Sequence, residues 1–128
     1  MKERLRIGYV GMGGRGRGQM GLSLEMDDID VVAVCDVYED RVRQSLDIIR
    51  EKRPELQAEG YDDYRKLVAR PDLDAVVVTS SWQTHARIAE AAMRAGKYAG
   101  FEVGGASSVE ECWRLVRAYE ETGVRPSR

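Results

Sequence analysis

The sequence predicts an α/β domain built on a doubly wound parallel sheet, with strands in the order 3-2-1-4-5. Three observations carry this. β-prone apolar runs alternate five times with helix-patterned stretches. The inner strand candidates are almost continuously apolar, as strands covered on both faces are. The first candidate also runs straight into a glycine cluster, "VGMGGRGRGQMG" over residues 10–21, the position of the ligand-binding turn in such folds.

Each element has its own signal. "LRIGYV" (5–10) is a short β-prone run. "GQMGLSLEM" reads as a helix with Met20 and Leu24 four apart on one face, and its glycines make its start depend on tertiary contact rather than propensity. "DVVAVCD" (30–36) has the composition of a strand buried on both sides. In "YEDRVRQSLDIIREKRP", Val42, Leu46 and Ile49 form a helical stripe that Pro54 ends. "QAEGYDDYRKLVAR" holds a short strand before Asp62 and a short helix to about Arg70. "DAVVVTSS" is a buried strand, and "THARIAEAAMRAG" a helix stopped at Gly96. "KYAGFEV" is the fifth strand. "SVEECWRLVRAYEETG" is a last helix, opened by a Ser108–Glu111 capping box, with Val109, Cys112, Trp113, Val116 and Tyr119 as its core stripe.

Composition narrows the function classes. The 128 residues suit one domain with a real core, and 43% hydrophobic with 33% charged residues is an ordinary globular balance. A net charge of -2 argues against a protein built to neutralise nucleic-acid phosphates. No run has the apolar length of a membrane span, and the N-terminus lacks a secretory pattern. Cys35 and Cys112 sit in apolar runs rather than metal-ligand spacing, so no metal and a reduced, cytoplasmic setting are expected.

The glycine cluster has two readings. "GGRGRG" resembles the arginine–glycine repeats of disordered RNA-binding tails, whereas Gly11, Gly13 and Gly16 spell G-x-G-x-x-G, a dinucleotide fingerprint. The fingerprint alone is weak, but here it follows a strand, enters a helix, and is answered by Asp36 at the end of the next strand, 20 residues past Gly16. The RNA reading needs disorder, which buried-type strands on either side contradict. In the cradle reading Gly11 makes the tight turn, Gly13 admits the pyrophosphate to the backbone, and Gly16 packs helix against strand. Met12 and Gly14 complete the loop, and the helix N-terminus offers its free N–H groups to the phosphates. Arg15 is the better candidate to line the phosphate entrance; Arg17 reads equally as a solvated arginine. Asp36 accepts from both ribose hydroxyls and repels a 2′-phosphate, so NAD is favoured over NADP.

With the second half included, the chain resembles the N-terminal, NAD-binding domain of the glucose–fructose oxidoreductase/inositol dehydrogenase (Gfo/Idh/MocA) family. The markers are "IGYVGMGGRG", "VCDVYEDR", "DLDAVVVTSSWQTH" and "AMRAGKYAGFEV". The resemblance implies that Ser80, Ser81 and Trp82 form the turn after strand four, with His85 in the family's histidine position, bordering the nicotinamide half of the cofactor. A core aromatic at Trp82 and a helix-start residue bonded to nearby backbone at His85 are the competing readings. Family dehydrogenases usually carry Glu-Lys-Pro at strand five, where this chain has Glu102-Val103-Gly104. Glu102 retains the capacity to bond the nicotinamide ribose, but Val103 cannot replace the lysine, so the catalytic group is unknown. "EVGGASSVEECWRLV" is similar to the branch of NAD-dependent α-N-acetylgalactosaminidases, which resemble dehydrogenases that oxidise a sugar carbon transiently, eliminate the glycoside, add water and return the hydride.

The implied protein is thus an NAD-dependent sugar or polyol oxidoreductase acting on a carbohydrate-like small molecule, with the glycosidase as the alternative and a non-catalytic NAD-binding module as a further class. No nucleic-acid or membrane partner is expected. The resemblance also implies a second, substrate-binding domain. Because "TGVRPSR" makes a poor sixth strand, the expectation is a dinucleotide-binding domain over 1–128 without it, binding NAD weakly, turning over nothing, and self-associating through an exposed strand-five edge.

Overall fold

The computed structural model describes residues 4–79 and 82–101, with Arg15, residues 82–86 and Phe101 described by backbone only. The final predicted helix, its Ser108–Glu111 box and Cys112 lie outside these residues. Chain order is β1 (Leu5–Val10), α1 (Gly14–Leu24), β2 (Ile29–Cys35), α2 (Glu39–Lys52), β3 (Glu59–Tyr61), α3 (Tyr64–Val68), β4 (Ala75–Val78), α4 (Trp82–Arg94) and β5 (Tyr98–Phe101). All strand pairs are parallel and the order is β3-β2-β1-β4-β5. Among the described residues no helix is long and apolar enough to cross a membrane.

The apolar strands split into two cores, one on each face of the sheet. Leu5, Ile7 and Tyr9 alternate onto one face and pack with Met20, Leu24 and Ile49 from α1 and α2. Val10, Cys35, Val76 and Val78 meet Leu67, Ile88 and Ala92 from α3 and α4 on the other. Every residue of β2 is buried, which is why its sequence lacks alternation. The predicted α2 stripe is confirmed, with Ile49 fully buried and Val42 and Leu46 packed beside it. Gly96, at φ 82°, follows the end of α4 as expected.

β2 carries an irregularity that its sequence hides. Ile7 pairs with Val31 but Gly8 pairs with Ala33, so Val32 is one residue too many for the ladder. Arg70 holds this bulge: its Nη1 donates to the Val32 carbonyl at 3.0 Å, while Nε and Nη2 form a fork on Asp72 at 2.9 and 2.7 Å. At the start of β2, Asp30 accepts from Arg4 at 2.6 Å and from Arg53 at 3.1 Å.

These pairs make the fold acid-sensitive. Hydrogen bonding from Arg4 lowers the Asp30 pKa, and the Arg70 guanidinium holds Asp72 far below the usual carboxylate range. A carboxyl depressed in the native state stabilises the fold above its unfolded pKa, about 4, and that contribution disappears as pH falls toward the lowered native value. Urea midpoints are therefore expected to be level from pH 7 to about 5 and to drop between about pH 4 and 2. A flat profile across that acidic range would show that the pairs contribute nothing.

Candidate functional site

The loop between β1 and α1 is built around one turn and one close approach. Gly11 has φ 98°, a left-handed conformation that a side chain would strain. A Cβ on Gly16 would lie 2.0 Å from the Gly11 carbonyl oxygen and 2.6 Å from Thr79 Oγ1. Gly16 thus lets α1 start directly against the loop and the end of β4. A Cβ on Gly13 would make ordinary contact with the Arg41 guanidinium, at 3.6 Å from Nη1, and only around Gly14 is there open space, with nothing within 4 Å. α1 begins with Gly13 as N-cap, without a side-chain cap or an acid in its first turn. Its leading N–H groups have no intrahelical acceptors.

The strand ends are tied together beneath this loop. Gly11 N–H donates to the Cys35 carbonyl at 2.9 Å, and Thr79 N–H donates to the Val10 carbonyl at 2.8 Å. Thr79 Oγ1 donates to the Gly11 carbonyl at 2.5 Å. Thr79 stands where sheet order reverses between β1 and β4, the usual ligand crevice of such folds. The sequence reading passed over it, although a hydroxyl directly after an apolar strand was the available signal.

Asp36 lies over the same crevice, with a side chain only 6% exposed. Its Oδ2 accepts from Met12 N–H at 2.7 Å and its Oδ1 from Tyr38 N–H at 2.9 Å. Each oxygen retains acceptor capacity for a further donor. Arg41 stands 3.9 Å from Oδ2 and stacks over the Tyr38 ring at 4.6 Å. Arg41, five residues beyond Asp36 in the first turn of α2, is a site residue that the sequence pattern does not give.

A cleft of about 780 Å³ opens from these residues toward α3 and α4. Gly11, Gly13 and Asp36 line one side, Tyr38 and Arg41 another, and Arg87 of α4 the far wall. Val37 and Tyr38 are 78% and 56% exposed, an apolar edge at a polar mouth. Asp63 caps α3, and its hydrogen-bonded partner Arg65 lowers its pKa to about 2.

Cys35 also lines the cleft, but its chemistry is muted. Burial, with the charge of Asp36 second, pushes its thiol up to about 12 from 9.0. Little thiolate therefore forms near neutral pH, and the thiolate is the reactive form. Iodoacetamide is expected to label Cys35 at least about a hundredfold more slowly in the native than in the urea-unfolded protein, read by peptide mapping. Equal rates would mean that the thiol is accessible and ionisable.

Of the predicted site residues, Gly11, Gly13 and Asp36 line the cleft, while Met12, Gly14 and Gly16 belong to the adjoining loop and helix start, with the Met12 side chain in the core. Arg15 lies in the first turn of α1, and its side chain is outside the described set. Ser80, Ser81, Glu102 and Val103 are outside it as well. Trp82 is the first residue of α4 rather than part of the turn, because helical bonding starts two residues before the predicted "THARIAEAAMRAG". His85 is in the first turns of the same helix, both being placed by backbone alone. Arg17 is part exposed and engaged within the protein: its Nη1 donates to the Met12 carbonyl at 3.1 Å and to Gln44 Oε1 at 2.7 Å.

Comparison with known proteins agrees with this geometry. A family model described as "Oxidoreductase family, NAD-binding Rossmann fold" (GFO_IDH_MocA) matches residues 5–127. Glycosyl hydrolase family 109 protein 1 of Akkermansia muciniphila is 34% identical over 123 residues, covering 94% of this chain and 26% of that protein. Alpha-N-acetylgalactosaminidase of Shewanella oneidensis is 33% identical over 123 residues, 94% of this chain and 27% of its own length. The crystal structure of myo-inositol dehydrogenase from Lactobacillus casei in complex with NAD(H) and myo-inositol superposes with a TM-score of 0.67 at 27% identity, over 89% of this chain and 32% of that one. The chain spans about a quarter of the length of the curated relatives it matches.

Proposed function

Because the chain belongs to the Gfo/Idh/MocA oxidoreductase family, as its NAD-binding Rossmann domain, we propose that the glycine-loop cleft seats NAD for an enzyme acting on a carbohydrate-like substrate. The observation that carries this is the cradle itself: a close approach only glycine permits at Gly16, open space over Gly14 with the Arg41 guanidinium beside Gly13, and an uncapped helix start behind them. NAD fits the residues present. Gly13, Gly14 and the first N–H groups of α1 would receive the pyrophosphate, joined by Arg15, whereas Asp36 would take the adenosine ribose. Tyr38, Arg41 and Val37 would border the adenine. Ser80, Ser81, Trp82, His85 and Glu102 would stand toward the nicotinamide half. When bound, NAD supplies a hydride acceptor and donor. The protein's own contribution is to orient it, and Asp36 selects against a 2′-phosphate by charge. Calorimetric titration with NAD tests the assignment: silence at millimolar ligand, or tighter binding of NADP, would end it.

For the reaction, we favour glycoside cleavage by transient oxidation, without net use of NAD. The support is the identity to family 109 glycosyl hydrolases and valine at position 103. Release of nitrophenol from a nitrophenyl N-acetyl-α-galactosaminide by the full-length protein, with NAD only stoichiometric, is the expected result. The second reading is net dehydrogenation of a sugar or polyol, favoured by the likeness to the myo-inositol complex. It predicts NADH accumulating in step with substrate. A non-catalytic NAD module would show neither.

Association through β5, the outer strand on one side of the described sheet, belongs to the same proposal. A concentrated sample sedimenting as a monomer would remove it. A reducing, cytoplasmic setting is proposed with it, supported by the free thiol of Cys35.

A further inference from the structure

Four of the six residues from Gly11 to Gly16 are glycine. Such a loop has much conformational freedom to lose when it receives a ligand. Yet one residue in it is fixed by all its handles. Met12 N–H donates to Asp36 at 2.7 Å, its carbonyl accepts from Arg17 at 3.1 Å, and its side chain is fully buried in the core under α1. Arg17 is itself braced from the next helix by Gln44, at 2.7 Å from the same Nη1.

We infer that Arg17 is a positioning residue, which with Gln44 locks the Met12 peptide and so presets the glycine loop for a phosphate group that Arg17 does not itself touch. The inference rests on the reading of the cleft as a nucleotide site. The physical content is preorganisation: a loop held in its receiving conformation loses less freedom on binding, and affinity rises without a new contact. The two acceptors of Nη1 are neutral oxygens, Met12 O and Gln44 Oε1, the latter on α2. That is the geometry of a brace between helices. It also explains how an arginine just past the glycine motif serves the loop from behind.

The test separates brace from direct contact. Affinities for adenosine, ADP and NAD are measured by calorimetry for wild type, Arg17→Ala, Gln44→Ala and the double variant. Amide hydrogen exchange is followed without ligand. Arg17→Ala is expected to weaken ADP and NAD about fivefold while leaving adenosine unchanged. Gln44→Ala should act in the same direction by a smaller factor, and the double variant should be no worse than Arg17→Ala alone, since the two share one interaction. Met12 and Gly13 amides should exchange faster while those of Val34 and Val76 stay as they were. A general loss of stability would instead weaken all three ligands and speed exchange in the strands. If Arg17→Ala also flattens the salt dependence of ADP binding while Gln44→Ala is silent, the arginine touches phosphate directly and the inference is wrong. Unchanged ADP affinity and unchanged Met12 exchange in Arg17→Ala would overturn it too. Wild type binding neither ADP nor NAD would remove the nucleotide reading and this inference with it.

Discussion

Gly16→Ala is expected to lower the thermal midpoint by about 10 °C and to weaken NAD binding at least about tenfold. The added methyl would sit 2.0 Å from the Gly11 carbonyl oxygen and 2.6 Å from Thr79 Oγ1. The first is backbone held by the tight turn, and the second is a hydroxyl fixed by its bond to that same carbonyl, so neither can rotate away. Relief requires α1 to move off the loop, which breaks the Thr79 tie and carries the helix N–H groups away from the phosphate position. Overpacking of this kind costs typically 1–3 kcal/mol. Gly18→Ala is the control: nothing lies within 4 Å of its Cβ, and alanine is the better helix former by up to about 1 kcal/mol. It should leave stability level or slightly raised. A Gly16→Ala protein with wild-type melting and NAD affinity would show that α1 does not need this approach.

Asp36→Ala is expected to weaken NAD about a hundredfold and to destabilise the fold by about 3 kcal/mol or more. Two effects add. The buried carboxylate leaves Met12 and Tyr38 N–H groups without their acceptor, and hydrogen bonds to a charged group contribute roughly 1.5–3 kcal/mol each. On the proposed seating of NAD, the ribose would lose its acceptor as well. Asp36→Asn separates these effects: its remaining carbonyl oxygen keeps one backbone bond, but the charge that repels a 2′-phosphate is gone. The ratio of NADP to NAD affinity should therefore rise in the asparagine variant, with a smaller loss of stability. If both variants bind NAD as wild type does, the carboxylate is only a loop fastener.

The sheet was legible because its signals are strong and redundant. Apolar runs, a fingerprint after the first strand and an acid after the second located all five strands and gave their order, although the fourth ends at Val78, short of the "DAVVVTSS" run. The start of α1 was misread for a definite reason. Propensity argues against a helix through Gly14, Gly16 and Gly18, but close packing at Gly16 overrides it, and the helix begins at Gly14 rather than near Gly18. Arg17 and Arg41 were out of reach of pattern reasoning, since the direction of a long cationic side chain depends on which oxygen it finds across the helix pair. Asp36 was found for its spacing alone. That it also fastens the glycine loop follows from two backbone N–H groups that no sequence displays.

The surplus residue at Val32 bears on how this chain is aligned and cut. Because Gly8 already faces Ala33, excising Val32 would heal the ladder without turning Cys35 or Asp36 onto the opposite side. A variant lacking Val32 is therefore expected to deliver its Asp36 carboxylate to the same spot. What such a variant would forfeit is the carbonyl anchoring Arg70, a tether of the sheet rather than a part of the cleft.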